Sequence, residues 1–145
     1  MFFLFVGASC KKKSSGASPV VPPPAVKMDS LSAVINSIPW LTYTATSNLI
    51  PSSIDSGANN LQISGSTTIG NVVSNMVIFV NNYTGPANLA VNPPAVSITY
   101  YVGSVRHYAT SGSLTITSDS SSFTGNFTFT ADSVNAVSGV FAIPR

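Results

Sequence analysis

Glutamate is missing from this chain altogether, and cysteine, tryptophan and histidine occur once each. Only 7% of the residues carry charge, against roughly 25% in an ordinary soluble domain. Long surface helices draw on Glu, Lys, Leu and Ala, so helical architectures lose their usual vocabulary. A lone cysteine excludes an internal disulfide and any cysteine-rich zinc site. The net charge of +2 comes from the N-terminal part: Lys11, Lys12, Lys13 and Lys27 precede Met28. Beyond it the cations are Arg106 and Arg145 and the anions Asp29, Asp55, Asp119 and Asp132. That slightly acidic remainder has no basic patch to neutralise phosphates, which argues against nucleic acid as a partner.

What is abundant is uncharged. Ser, Thr and Asn make up about a third of the chain, and hydrophobic residues 44%. Thr fits a pleated strand and Asn and Ser fit turns. A chain of 145 residues of this kind reads as one β-rich domain with enough apolar residues for a core.

The first residues differ from the rest. Phe2 to Val6 is apolar and is followed by Gly7, Ala8, Ser9 and Cys10. A bilayer span needs about 20 apolar residues, so this run is too short to cross one. Residues 1–9 read as the end of a secretory signal. Small residues before a lone cysteine resemble the lipobox of bacterial lipoproteins, and the resemblance implies lipidation at Cys10. The match departs from that pattern at Gly7, where leucine is usual, and in lacking a positively charged start. Three lysines follow, each adding about 1 kcal/mol of attraction near an anionic membrane surface. Pro19, Pro22, Pro23 and Pro24 then mark an extended tether. At about 3.1 Å per residue it reaches some 40–50 Å. The expected organisation is signal 1–9, lipidated cysteine and tether 10–27, and β-domain 28–145.

Within that domain, hydrophobicity alternates with period two. Phe123, Gly125, Phe127 and Phe129 alternate with Thr and Asn; Leu114 and Ile116 with Ser and Thr; Val96, Ile98, Tyr100 and Val102 with Ser97 and Thr99. Leu41, Tyr43 and Ala45 alternate with Thr42, Thr44 and Thr46. Met76 to Val80 is apolar on both faces, as in a central strand. Val137, Gly139, Phe141 and Ile143 share one face of a last strand. Asn36-Ser37 reads as a tight hairpin turn, and the residues from Ser118 to Ser122 as a polar turn. Gly85-Pro86 and Pro93-Pro94 frame a longer loop. The pattern predicts roughly eight strands, near 30–35, 38–46, 60–66, 75–81, 95–102, 112–118, 122–131 and 137–143. Short connections favour an antiparallel β-sandwich or a flattened up-and-down barrel.

Several of these segments resemble a group of small, uncharacterised lipoproteins common in Bacteroidota. The resemblance rests on Ile35-Asn36-Ser37-Ile38-Pro39-Trp40, on Gly112-Ser113-Leu114-Thr115-Ile116-Thr117, on Phe123-Thr124-Gly125-Asn126-Phe127-Thr128-Phe129, and on Gly139-Val140-Phe141. It covers most of residues 30–145. Ser37 stands where that group has glycine. It implies a lipid-anchored, all-β protein of the cell envelope, at the outer membrane, and says nothing of mechanism.

Chemistry-bearing motifs are scarce. His107 with any serine and aspartate could form a triad, but no Gly-x-Ser-x-Gly elbow surrounds a serine. Metal-ligand spacing is absent around His107. Asp119 with Ser120, Ser121 and Ser122 offers one carboxylate where a calcium loop needs several, and paired acids for glycoside hydrolysis are lacking. Trp40 is read as core beside the first hairpin, or as a stacking platform for a ligand. Asp29-Ser30-Leu31 and Asp132-Ser133-Val134 fit an O-glycosylation triplet that chance explains equally well in so serine-rich a chain. The expected function is a non-catalytic envelope module that binds or scaffolds an envelope protein or a glycan. The alternatives are a small-ligand carrier with a barrel cavity and, third, a hydrolase. No cofactor is expected. Tyr83, Tyr101, Arg106, His107 and Tyr108 are the candidate contact residues, because Tyr and Arg combine flat apolar area with hydrogen bonds. Arg106, His107 and Tyr108 are read as a loop.

Overall fold

A computed structural model describes residues 27–145 of the protein. Cys10 and all of the tether but Lys27 lie outside the described residues. Among the described residues eleven strands follow one another: β1 (Ser30–Ile35), β2 (Ile38–Thr42), β3 (Thr46–Pro51), β4 (Asn59–Ile69), β5 (Val72–Tyr83), β6 (Ala87–Ala90), β7 (Val96–Val102), β8 (Val105–Tyr108), β9 (Ser111–Ser118), β10 (Ser122–Ala131) and β11 (Val134–Pro144). They form two antiparallel sheets in a sandwich, not a closed barrel. One runs β2-β1-β11-β10-β9-β6, the other β3-β4-β5-β7-β8.

The alternation described above builds the core. Phe123, Phe127 and Phe129 from β10, Leu114 and Ile116 from β9, and Phe141 and Ile143 from β11 are buried on one inner face. Leu61, Ile63, Met76, Ile78 and Ile98 answer from the other sheet. β10 and β11 interlock through glycine. Phe127 pairs directly with Gly139, and Gly125 with Phe141. A Cβ on Gly139 would stand 2.6 Å from the Phe127 ring, and one on Gly125 2.5 Å from Phe141. Each ring thus lies across the opposite strand, in space that only glycine leaves.

Three expectations need correction. The segment 38–46 is not one strand. Trp40 and Thr42 point inward and Tyr43 is exposed, the reverse of the alternation assigned to it. The reason is a corner: the Thr44 N–H donates to Thr42 Oγ1 (3.2 Å) and the Ala45 N–H to the Asp29 carbonyl (3.0 Å), turning the chain into the second sheet. Next, Val137 does not share a face with Phe141. A bulge in β11 sets the three steps from Ala136 to Gly139 against the two steps of β10 from Phe127 to Phe129, with Ser138 at φ 53°. An extra residue inverts the parity of everything before it, so Val134 and Ala136 are buried and Val137 is 43% exposed. Finally, Arg106, His107 and Tyr108 are not a loop: they belong to the edge strand β8, paired with Tyr101, Tyr100 and Thr99.

Candidate functional site

Four of the hairpins close through two residues. Ile35-Asn36-Ser37-Ile38 joins β1 to β2, Ile69-Gly70-Asn71-Val72 joins β4 to β5, Val102-Gly103-Ser104-Val105 joins β7 to β8, and Ala131-Asp132-Ser133-Val134 joins β10 to β11. In each the turn is flanked by a directly paired couple of aliphatic residues. Asn36 and Ser37 both have positive φ (48° and 67°), the type I′ geometry whose twist matches a hairpin. Gly70 and Gly103 supply positive φ at the first turn position (62° and 58°), as type II′ turns require.

These hairpins, two from each sheet, surround one cleft of about 490 Å³. Ile38, Ile69, Val72, Val102 and Val105 form an aliphatic rim, each more than a third exposed. No charged residue lines it, and its titratable side chains are Tyr100 and His107. The floor is aromatic and polar. Trp40, 1% exposed, donates from Nε1 to Ser74 Oγ (3.0 Å), and Ser74 donates in turn to the Tyr100 hydroxyl (2.9 Å). The Trp40 and Tyr100 rings meet edge to face at 6.5 Å, and His107 stacks on Tyr100 at 6.3 Å. This chain of bonds satisfies three buried polar groups that would otherwise be costly beneath an apolar cleft.

Asn36 fixes the rim. Its side chain donates to the Ser133 carbonyl (2.9 Å) and accepts from the Asn135 N–H (2.8 Å), while its own N–H donates to the Asn135 carbonyl (2.9 Å). One residue thus supplies a turn conformation and straps the β1–β2 tip to the β10–β11 tip.

The five candidate contact residues are distributed over three places. His107 lines the cleft. Tyr101, Arg106 and Tyr108 lie on the opposite, outer side of the five-stranded sheet, because neighbours along a strand alternate in direction. There the Arg106 guanidinium sits 5.1 Å from the Tyr101 ring centre and 5.4 Å from that of Tyr108, and donates to the Tyr108 hydroxyl. That hydrogen bond, with the two phenols, raises the Arg106 pKa further and keeps it a permanent cation.

Tyr83 is elsewhere, at the other end of β5. It is buried, packs edge to face on Phe123 at 5.9 Å and donates to Asp119 (3.1 Å). Burial first, then the bond to Asp119 and its charge, push its phenol up to about 12, with Arg145 acting the other way. Of the two serine triplets, Ser30 is buried with its hydroxyl on the Lys27 carbonyl, whereas Ser133 sits in the cleft lining. Among the described residues no group of three His, Cys, Asp or Glu side chains comes close enough to hold a metal ion.

The sequence reading found His107 and Trp40 but not the cleft. The signal that marks it is local: an aliphatic residue, a turn dipeptide and another aliphatic residue, recurring along the chain. Compared with protein-family models, with curated proteins and with solved structures, the chain matches none.

Proposed function

We propose that this protein is a lipid-anchored, non-catalytic binding module of the bacterial cell envelope, and that the cleft at its hairpin end takes an apolar part of an envelope partner. The observation that carries the reading is the rim: exposed aliphatic side chains from both sheets, around a cleft with no charge in its lining. Contiguous exposed apolar surface of this kind costs solubility and marks interaction sites.

Two further features support it. Lys27 precedes β1, and the cleft lies at the far end of that strand; a tether running back to a lipid on Cys10 would point the cleft away from its own anchor. The polar groups of the floor are engaged with one another. Ser74 already serves Trp40 and Tyr100, and no carboxylate lines the cleft to orient His107 as a base. The small-ligand carrier stays as a second reading in altered form, because about 490 Å³ falls within the roughly 300–1,000 Å³ of small-molecule sites. The space lies at the end of the sandwich, not inside a barrel.

Trp40 is the sole tryptophan, so its emission reports directly on the cleft. Nile red titrated into the protein should change that emission, and Val72→Lys with Val105→Lys should abolish the change without unfolding the domain. Unaltered dye binding by the double variant would remove the cleft from consideration. The anchor is tested separately: metabolic labelling with a clickable fatty acid should mark the wild type and not Cys10→Ala.

A further inference from the structure

The outer face of the five-stranded sheet carries a second set of residues that the cleft does not use. Side chains pair across it in rows. One row reads Ser66, Asn75, Tyr101 and Arg106; the next reads Thr46, Ser64, Val77, Thr99 and Tyr108. Beside Tyr101 these rows form a shallow groove of about 440 Å³, lined with Ser, Thr, Asn75 and Gln62. Its hydrogen-bonding groups are uncharged, and no aspartate lies among its lining residues. The cation next to it is Arg106.

Arginine on an edge strand serves a simpler purpose, since a charge discourages edge-to-edge pairing. A freely waving side chain suffices for that. Arg106 instead lies over two tyrosine rings and is held by a hydrogen bond to one of them. Guanidinium presents five N–H donors in a fixed fork that matches a carboxylate. Its described contacts are with tyrosines, not with an acid. A preoriented cation, exposed tyrosine surface and a row of hydroxyl and amide groups are complementary to one chemistry: sugar rings bearing carboxylates. The carboxylate meets the fork, ring faces pack on tyrosine, and hydroxyls exchange hydrogen bonds with Asn75, Gln62 and the serines.

We propose that the outer face of the five-stranded sheet binds a carboxylated glycan, with Arg106 as the carboxylate contact and Tyr101 and Tyr108 as its stacking surface. This site lies on the opposite side of the sheet from the cleft and stands or falls independently of it.

Oligogalacturonate and oligoalginate are the probes, with methyl-esterified oligogalacturonate as a control of the same backbone without charge. The full chain, titrated by calorimetry, should bind at least one acidic oligomer, lose that binding on esterification, and lose it progressively as salt rises. Arg106→Gln should weaken binding roughly tenfold or more, the loss of one charge-assisted contact. Arg106→Lys keeps the edge charge but not the fork, and should fall between. Tyr101→Ala with Tyr108→Ala should weaken binding with the melting temperature nearly unchanged. The proposal is overturned if neither acidic oligomer binds, if acid and ester bind alike, or if Arg106→Gln binds as the wild type does. Aggregation of Arg106→Gln with unaltered glycan affinity would assign Arg106 to edge protection alone.

Discussion

The two ends of the sandwich are built from the same strands and differ in almost everything else. β4 begins at Asn59 beside Asp55 and ends at Ile69 on the cleft rim; β5 returns from Val72 to Tyr83. At the hairpin end, two-residue turns bring aliphatic pairs together and no charge lines the cleft. At the other end, longer connections carry Asp55 and Asp119 to Tyr83, where Arg145, following β11, joins them; Arg145 donates to the Asp119 carbonyl (2.9 Å) and lies over the Phe123 ring at 5.9 Å. There the charged groups cap the core. At the hairpin end the capping layer is missing and the apolar rim meets solvent. Tight turns leave no chain to fold over the strand ends, so short connections and an open apolar surface are one fact of construction.

The comparison breaks most severely at Trp40. Removing a fully buried large aromatic costs about 3–5 kcal/mol, and here it also takes from Ser74 the hydrogen bond it accepts from Nε1. Trp40→Ala should therefore show a large drop in melting temperature and lose binding at the cleft. A variant melting within a degree or two of the wild type would mean that the floor is not part of the core.

A smaller effect is expected at the strap. Asn36→Gly preserves the positive φ of the turn but deletes both side-chain bonds to the β10–β11 tip. At about 0.5–1.5 kcal/mol per bond, the loss should be about 1–3 kcal/mol by denaturant titration. Amide exchange should rise at Asn135 and around Ser133 and stay unchanged near Tyr83. Uniformly faster exchange at both ends would show that the hairpin tips are not held separately from the rest.

The opposite end is probed by alkali. Tyr83 holds its proton up to about 12 when folded, against 10.0 for the ordinary phenol. Because the folded chain binds that proton more tightly than the unfolded chain, the stabilisation is complete below pH 10 and is lost as pH rises towards 12. Urea titrations should show wild-type stability declining across that window, and the decline should be shallower in Tyr83→Phe. Equal slopes for the two proteins would contradict the assignment.

How much of this was readable in advance follows from how each residue is buried. Strands with one wet and one dry face announce themselves by period two, and β9, β10 and most of β7 are of that kind. The Phe-x-Gly-x-Phe run of β10 shows its buried face, although nothing in it says that Gly125 accommodates the Phe141 ring of β11. β8 was unreadable as a strand because an edge strand exposed on nearly every side has no alternation to display: Val105, Arg106 and Tyr108 are all exposed. β6, four residues long, is too short to show a period. The corner at Thr42–Ala45 and the bulge at Ser138 depend on tertiary hydrogen bonds and register, which shift parity without a local mark. The cleft is a different case. Its sequence mark, aliphatic residues on both sides of a turn dipeptide, stands at all four hairpins, but it also occurs within β11 at Val137-Ser138-Gly139-Val140, and only the topology brings the four hairpin copies to one end.

The smallest predicted effect runs in the opposite direction, and it separates turn geometry from cleft function. Ser37 sits at φ 67°, in the left-handed region that costs a residue with a Cβ roughly 1 kcal/mol. Its neighbour Asn36 tolerates that region better, since a short polar side chain can bond locally, and here it has the strap as well. Serine at position 37 has no such compensation visible in its surroundings, and Asn-Gly is the preferred type I′ pair. Ser37→Gly should therefore stabilise the protein by about 1 kcal/mol, while Ser37→Ala, which retains a Cβ, should gain nothing. If the glycine variant also binds apolar probes as the wild type does, the serine is a tolerated strain with no part in recognition. If it is more stable but binds less well, the strain at the tip of β1–β2 helps hold Ile38 in its exposed position, and the open end of the sandwich is maintained at a cost in stability that the charged end does not bear.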